Sequence, residues 1–117
     1  MTPGKLNIDI YQFATFSLPL QWSAGGVPVD LTGCKIRMQI RERASSSVSV
    51  ISLSTESGGI VINDAAAGKF TTTITDEKTG ALLIKAGVHD IVVESAGGES
   101  YRLLEGAVAV HPGVTRP

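Results

Sequence analysis

The run CKIRMQIR, residues 34–41, decides the fold. Cys34, Ile36, Met38 and Ile40 fall on one parity, and Lys35, Arg37, Gln39 and Arg41 fall on the other. Side chains of an extended chain point to opposite faces in turn, so the run reads as a strand with one face on a core and one in water. The same parity speaks against a reactive thiol. A nucleophilic cysteine needs a cation, a helix terminus or a base beside it and an exposed setting. Cys34 points with three hydrophobes, away from Lys35 and Arg37, and is read as a small buried hydrophobe.

Working outward, the pattern repeats. Leu6, Ile8 and Ile10 alternate, and so do Phe16, Leu18, Leu20 and Trp22. Pro19 lies on the outward parity of that second strand and has no N–H, which predicts an edge or a bulge. Ser23-Ala24-Gly25-Gly26 and Thr32-Gly33 read as turns, and residues 42–49, ERASSSVS, as a flexible surface loop. Short strands follow around 50–55 and 59–63, and alternation resumes at Phe70, Thr72 and Ile74. In DEKTGALLIK, 76–85, the period changes, and a short helix or helical turn capped by Thr75 or Asp76 and limited by Gly80 is expected. Val88 to Glu94 and Tyr101 to Val110 form an antiparallel hairpin around Gly97-Gly98.

About eight closely spaced strands with turns between them predict an all-β fold, a two-sheet antiparallel β-sandwich of immunoglobulin-like type with at most one short helix. The 117 residues fit a single domain, with short terminal arms at 1–4 and 111–117. A formal charge of −1 gives no electrostatic footprint for nucleic acid or an anionic membrane. A single cysteine forms no internal disulfide, and no run reaches the ~20 apolar residues of a membrane span. MTPGKLNIDIYQ alternates and is expected to be neither signal peptide nor anchor.

The chemistry-bearing residues are few. His89 and His111 are too few for a metal centre unless carboxylates converge on them. Adjacent residues in a strand face opposite ways, so His89 and Asp90 cannot work as base and orienter. No catalytic, cofactor or metal site is expected, and an enzyme is not the reading. Lys35, Arg37, Arg41 and Arg43 form a basic strip that is either a docking face for an acidic partner or an ordinary solvated face. Glu94, Glu99 and Glu105 are placed to neutralise it across strands.

YQFATFSLPLQW (11–22), GVPVDLTGCKIRMQIRE (26–42), GGIVI (58–62), AGKFTTTIT (67–75), GVHDIVVES (87–95) and YRLLEGAVAVHPGVTR (101–116) together resemble a small β-sandwich domain of tailed-bacteriophage tail and baseplate proteins, including upper-baseplate and tail-fibre-associated ones. Val29-Asp30-Leu31-Thr32-Gly33 before the Arg37-to-Arg41 strand, and Leu103-Leu104-Glu105-Gly106 before Val114-Thr115-Arg116, carry most of the likeness. Two departures stand out: Phe13 replaces a glycine frequent in that family, and Cys34 and His89 stand where aromatic residues are frequent.

The resemblance implies a non-enzymatic structural virion component, made in the bacterial host cytoplasm, with other phage virion proteins as partners and a homo-oligomeric state in the particle. It transfers no site residue. The candidate protein contacts are edge strands, the outward Lys35, Arg37 and Arg41, and His111, Val114 and Arg116 of the carboxy-terminal arm, which Pro112 and Pro117 would keep extended. The alternative is a carbohydrate- or receptor-binding sandwich using Tyr11, Tyr101 or Trp22, although Trp22 follows the inward parity.

Overall fold

The computed structural model describes residues 3–115. Its strands are β1 (Gly4–Lys5), β2 (Ile8–Tyr11), β3 (Phe16–Gln21), β4 (Ser23–Ala24), β5 (Val27–Pro28), β6 (Lys35–Arg41), β7 (Ile51–Ser54), β8 (Ile60–Asp64), β9 (Lys69–Ile74), β10 (Ala86–Glu94) and β11 (Ser100–His111). One helix, α1 (Asp76–Gly80), precedes β10. The first sheet runs β1-β11-β10-β6-β7, with β2 also on β11. The second runs β3-β9-β8, and β4 and β5 pair only with each other. The expected two-sheet sandwich is what the chain forms.

Parity sets the core. Ile36, Met38 and Ile40 of β6 are fully buried between the sheets, as are Ile91 and Val93 of β10. Phe70 and Ile74 of β9 close the core from the other side. Cys34 is half-buried and packs against this core, on the predicted side. Thr72 is fully buried among these residues and its Oγ1 has no hydrogen-bond partner among the described residues. A buried hydroxyl without a partner costs stability, whereas the near-isosteric valine has no such group. Thr72→Val is therefore expected to raise stability by about 1 kcal/mol in urea unfolding; a loss would show that the hydroxyl is bonded.

Pro19 sits at the predicted place. Trp22 N donates to Gly68 O at 2.9 Å, so even-numbered residues of β3 bond towards β9 and odd-numbered ones face the free edge. The missing N–H of Pro19 thus faces away from the ladder, on an edge strand whose register shows no bulge.

One pairing departs from the antiparallel expectation. β1 and β2 both run parallel to β11, at Gly4↔Leu104 and Ile8↔Val108. Between them the chain swings inward at Leu6–Asn7, and three bonds stitch the break. Leu6 N donates to Glu105 O (3.0 Å), Ala107 N donates to Asn7 Oδ1 (3.0 Å), and His89 lies 2.6 Å from Leu6 O through Nε2. A carbonyl only accepts, so His89 carries its proton on Nε2. Gly106 makes the swing possible: a Cβ there would lie 2.0 Å from Leu6 O.

The helix starts at the expected cap and ends at Gly80, the residue expected to limit it. Thr75 Oγ1 accepts from Lys78 N (3.3 Å), with Asp76 and Glu77 in the first turn. After Gly80 the chain leaves the helix, burying Leu82 and exposing Leu83. The turn read at 23–26 is a small hairpin, with Gly25 and Gly26 at φ +58° and +81°, both positive as a type I′ turn requires. The 42–49 loop is also less free than expected, because Arg41 Nη1 donates to Ser46 O (2.9 Å) and Arg43 N to Ser46 Oγ (3.2 Å).

Candidate functional site

The strands of the first sheet define two ends of the molecule. At one end lie the starts of β7 and β10, the finishes of β2, β6 and β11, and the connections 12–15, 42–50 and 75–85. At the other lie the β4–β5 hairpin, the 29–34 loop and the turns 65–68 and 95–99. The predicted contact residues divide between these ends and the face joining them.

Lys35, Arg37 and Arg41 do share the outward face of β6, and two of the three are engaged by neighbours. Lys35 pairs with Glu56 at 3.6 Å, and Arg41 Nη2 donates to Gln39 Oε1 at 2.9 Å. None of the three expected glutamates makes an ion pair with the strip. Glu105 pairs with Lys5 at 3.1 Å, Glu99 accepts from the Tyr101 hydroxyl, and Glu94 only neighbours Lys35 in register. The Glu99 carboxylate raises the Tyr101 pKa above its usual value. Asp90 pairs with Arg102 at 3.5 Å, and His89 points the opposite way, into the core. A groove of about 340 Å³ runs over this face, lined by Lys5, Gln39, Arg41, Asp90, Arg102 and Glu105. Lys5 and Arg102 are matched by Glu105 and Asp90, and Arg41, held by Gln39 and Ser46 O, is the one cation of the lining without a carboxylate partner among the described residues.

His111 is the last residue of β11 and not part of an arm. Its ring stacks on Tyr11, with centroids 4.7 Å apart, and Nε2 lies 3.0 Å from Asp9 Oδ1. The tail beyond it is also less extended than expected, since Gly113 N donates to Gln12 Oε1 at 3.2 Å. Val114 is 98% exposed. Arg116 and Pro117 lie outside the described residues, as do Met1 and Thr2 of the amino-terminal arm.

The Gln12 carboxamide organises this end. It accepts from Gly113 N and donates through Nε2 to Leu82 O at 2.8 Å, so the tail and the segment after α1 are held side by side. Leu83, 97% exposed, follows Leu82 in one of these segments, and Val114 follows Gly113 in the other. No expectation singled out Leu83. The signal was there in Leu82-Leu83-Ile84, three consecutive apolar residues that no strand or helix period can bury together.

Phe13 fixes the turn beneath. It is the non-glycine residue with positive φ, +65°, among the described residues. A left-handed conformation suits glycine, the residue frequent here in the family that the sequence resembles. The ring wedges between Gly80 and Gly113, where an added Cβ would meet it at 2.5 and 2.6 Å. Left-handed backbone costs an L-residue roughly 1–2 kcal/mol. Phe13→Gly relieves that cost while losing the ring, whereas Phe13→Ala loses the ring and keeps the strain. The glycine variant is expected to be the more stable of the two by about 1 kcal/mol, the reverse of their usual order elsewhere; denaturant midpoints of both variants check it.

At the opposite end, Asp30 Oδ1 accepts from Thr32 N (2.9 Å) and from Thr32 Oγ1 (2.6 Å). The side-chain bond, then the backbone one, lowers the Asp30 pKa. Its contribution to stability is present above the unfolded carboxyl value and fades as pH falls through the lowered folded value. Gly33 touches Ala96 and Leu31 N bonds Ala65 O, so the loops at this end brace one another. The hairpin Ser23–Pro28 is exposed along its whole length.

An apolar cleft of about 290 Å³ opens between the sheets, lined by Leu6, Leu20, Trp22, Phe70, Leu103 and Leu104. Trp22 and Tyr101 contact each other there, centroids 5.9 Å apart, and both are half-buried. No three metal-ligating side chains converge among the described residues, and none of their helices is long and apolar enough to cross a membrane.

No protein-family model matches the chain, and no curated protein matches its sequence. Among solved structures it is similar to the N-terminal domain of phage TP901-1 ORF48, with a TM-score of 0.54 and 12% identity over 95% of this chain and 99% of that one. That likeness shows a shared fold. The extracellular domains of the voltage-gated sodium channel beta4 subunit align over 97% of both chains with a TM-score of 0.44 and 10% identity. A structure from a photo-crosslinking analysis of the cell-adhesive interactions of sodium channel beta subunits aligns with a TM-score of 0.47 and 10% identity, over 95% of this chain and 93% of that one.

Proposed function

We propose that the protein is a structural virion component of a tailed bacteriophage, a tail, baseplate or fibre-attachment part that works by protein contact and not by catalysis. The observation that carries this reading is the fold, shared with the N-terminal domain of a phage protein over nearly all of both chains. The motif order read in the sequence points the same way, while no family model matches the chain. The surface is also that of a contact protein. On the face of the first sheet Lys5 pairs with Glu105 and Arg102 with Asp90, and exposed aliphatic side chains collect at one end.

The carbohydrate-binding alternative has less to stand on. Sugar platforms need an open aromatic face; Trp22 and Tyr101 are half-buried and in tilted contact, and one face of Tyr11 is stacked on His111. The test is to purify the particles of a phage encoding this chain and seek it in their protein content and in density of the assembled tail. Stoichiometric presence in the tail is expected. Absence from intact particles would overturn the reading, and specific glycan binding lost in Tyr11→Ala would favour the alternative.

A further inference from the structure

Once the ion pairs on the outer face of the first sheet are formed, two guanidiniums are left over. Lys5, Lys35 and Arg102 meet Glu105, Glu56 and Asp90. Arg37 and Arg41 meet no carboxylate among the described residues. Their neighbours across the ladders are uncharged: Arg37 stands opposite Val92 of β10 and Ser54 of β7, and Arg41 opposite Val88 of β10. The remaining carboxylate of β10, Glu94, is in register with Lys35, on the side of Arg37 away from Arg41.

Arg41 is not a loose surface cation. Its Nη1 donates to Ser46 O and its Nη2 to Gln39 Oε1, both at 2.9 Å, and the residue is half-buried. A guanidinium carries five donors, so these two bonds fix its plane and leave three N–H groups for a ligand. An oriented cation with unused donors suits a carboxylate, which it grips through two parallel bonds. Arg41 lines the groove of about 340 Å³ together with Gln39, Val88 and Asp90. Arg37 lines a second groove of about 200 Å³ with Gln39, Asp90 and Val92. The two share Gln39 and Asp90, so they adjoin as one trough along β6 and β10 with an arginine at each end.

Spacing names the occupant. A strand rises about 3.3 Å per residue, so Arg37 and Arg41 stand about 13 Å apart on one face of β6, with Gln39 between them. A second extended chain has the same two-residue repeat on each of its faces. Laid along the trough, it presents a carboxylate, a polar side chain and a carboxylate at i, i+2 and i+4 to the two arginines and Gln39. Asp90, in register with Gln39, opposes a third carboxylate in the middle, because like charges facing each other repel.

We propose that this face binds an extended acidic segment of a neighbouring protein, its carboxylates four residues apart and seated on Arg37 and Arg41. This rests on the reading of the protein as an assembly component and gives the partner of that component its chemistry.

The probe is the peptide Thr-Glu-Thr-Thr-Thr-Glu-Thr, titrated at low salt into the 15N-labelled protein while its amide shifts are followed. Saturable shifts on β6 and β10 are expected below millimolar peptide, weakening as salt rises. A peptide of the same composition with its glutamates two residues apart should bind more weakly. Arg37→Gln should raise Kd about tenfold, the scale of one charged hydrogen bond. Arg37 has no bond within the chain to lose, so this variant decides the matter even where Arg41→Gln disturbs the 42–49 loop. Lys78→Gln, on α1, should bind as the wild type does. No shifts on β6 and β10 up to millimolar peptide would overturn the proposal, as would equal binding of the two peptides, or of Arg37→Gln and the wild type. Inorganic phosphate moving the same amides at the same concentrations would mark an adventitious ion only, and would equally overturn it. Failure of the titration would leave the virion role standing, whereas absence from particles would sink the role and leave the titration unchanged.

Discussion

Gly106→Ala is expected to cost about 3 kcal/mol or more, with loss of the parallel pairing of β1 and β2 with β11, because the methyl group meets backbone and not a movable side chain. Its Cβ would lie 2.0 Å from Leu6 O and 2.6 Å from Leu6 C. No rotamer change relieves that, so the chain at Leu6–Asn7 must move away from β11. As it moves, it breaks the His89–Leu6 and Asn7–Ala107 bonds at once. His89 is 4% exposed and its Nδ1 already lacks a partner, so losing the Nε2 bond leaves a buried ring with neither nitrogen satisfied. Orphaning a buried polar group costs roughly 1–3 kcal/mol, in addition to the steric strain. Urea unfolding gives the size of the effect, and limited proteolysis cutting near Leu6 in the folded variant gives its location. A loss below ~1 kcal/mol would mean that the amino-terminal segment does not cross beneath Gly106.

Phe70→Ala should lower stability by about 3–5 kcal/mol, the range for truncating a buried aromatic in a packed core. Phe70 is 1% exposed and heads the fully buried side chains by volume. In β9 it lies between Leu20 of β3 and Ile62 of β8, so its ring fills the centre of the smaller sheet. It also borders the apolar cleft beneath Leu6 and Leu104, so removing it enlarges that opening and lets water reach the core. Small domains have only ~5–15 kcal/mol to lose, and the melting temperature should fall by on the order of 15 °C. A shift of a few degrees would show that the second sheet does not close over the first at this point.

Much of this architecture was legible because burial follows parity. Met38 and Phe70 are core for the reason that their neighbours at odd spacing are polar, and no distant contact is needed to see it. Pro19 announced an edge by chemistry alone. What parity does not encode is which strand lies beside which. Leu6, Ile8 and Ile10 alternate equally well in a parallel or an antiparallel partnership, so the pairing of β2 with β11 was invisible. The ion pairs were misassigned for the same reason: Lys35 meets Glu56 across a turn, and Glu105 meets Lys5 of the amino-terminal strand.

The contact surface was half legible. Val114 was expected to be exposed, but His111 belongs to a strand, and Leu83 emerges only where a helix stops at Gly80 and the chain must choose which leucine to bury. The Phe13 turn was flagged as a departure from glycine, and only the structure supplies its counterweights, Gly80 and Gly113. A cut at 111 would remove the end of β11 and the bond to Gln12.

The most direct test of the whole account is a cysteine scan of residues 35–41 in a Cys34→Ser background, reading the rate at which a thiol reagent modifies each folded variant. The account predicts a two-residue rhythm, with cysteines at 35, 37, 39 and 41 modified readily and those at 36, 38 and 40 protected until the protein unfolds. Uniform labelling, or protection recurring every three to four residues, would contradict it.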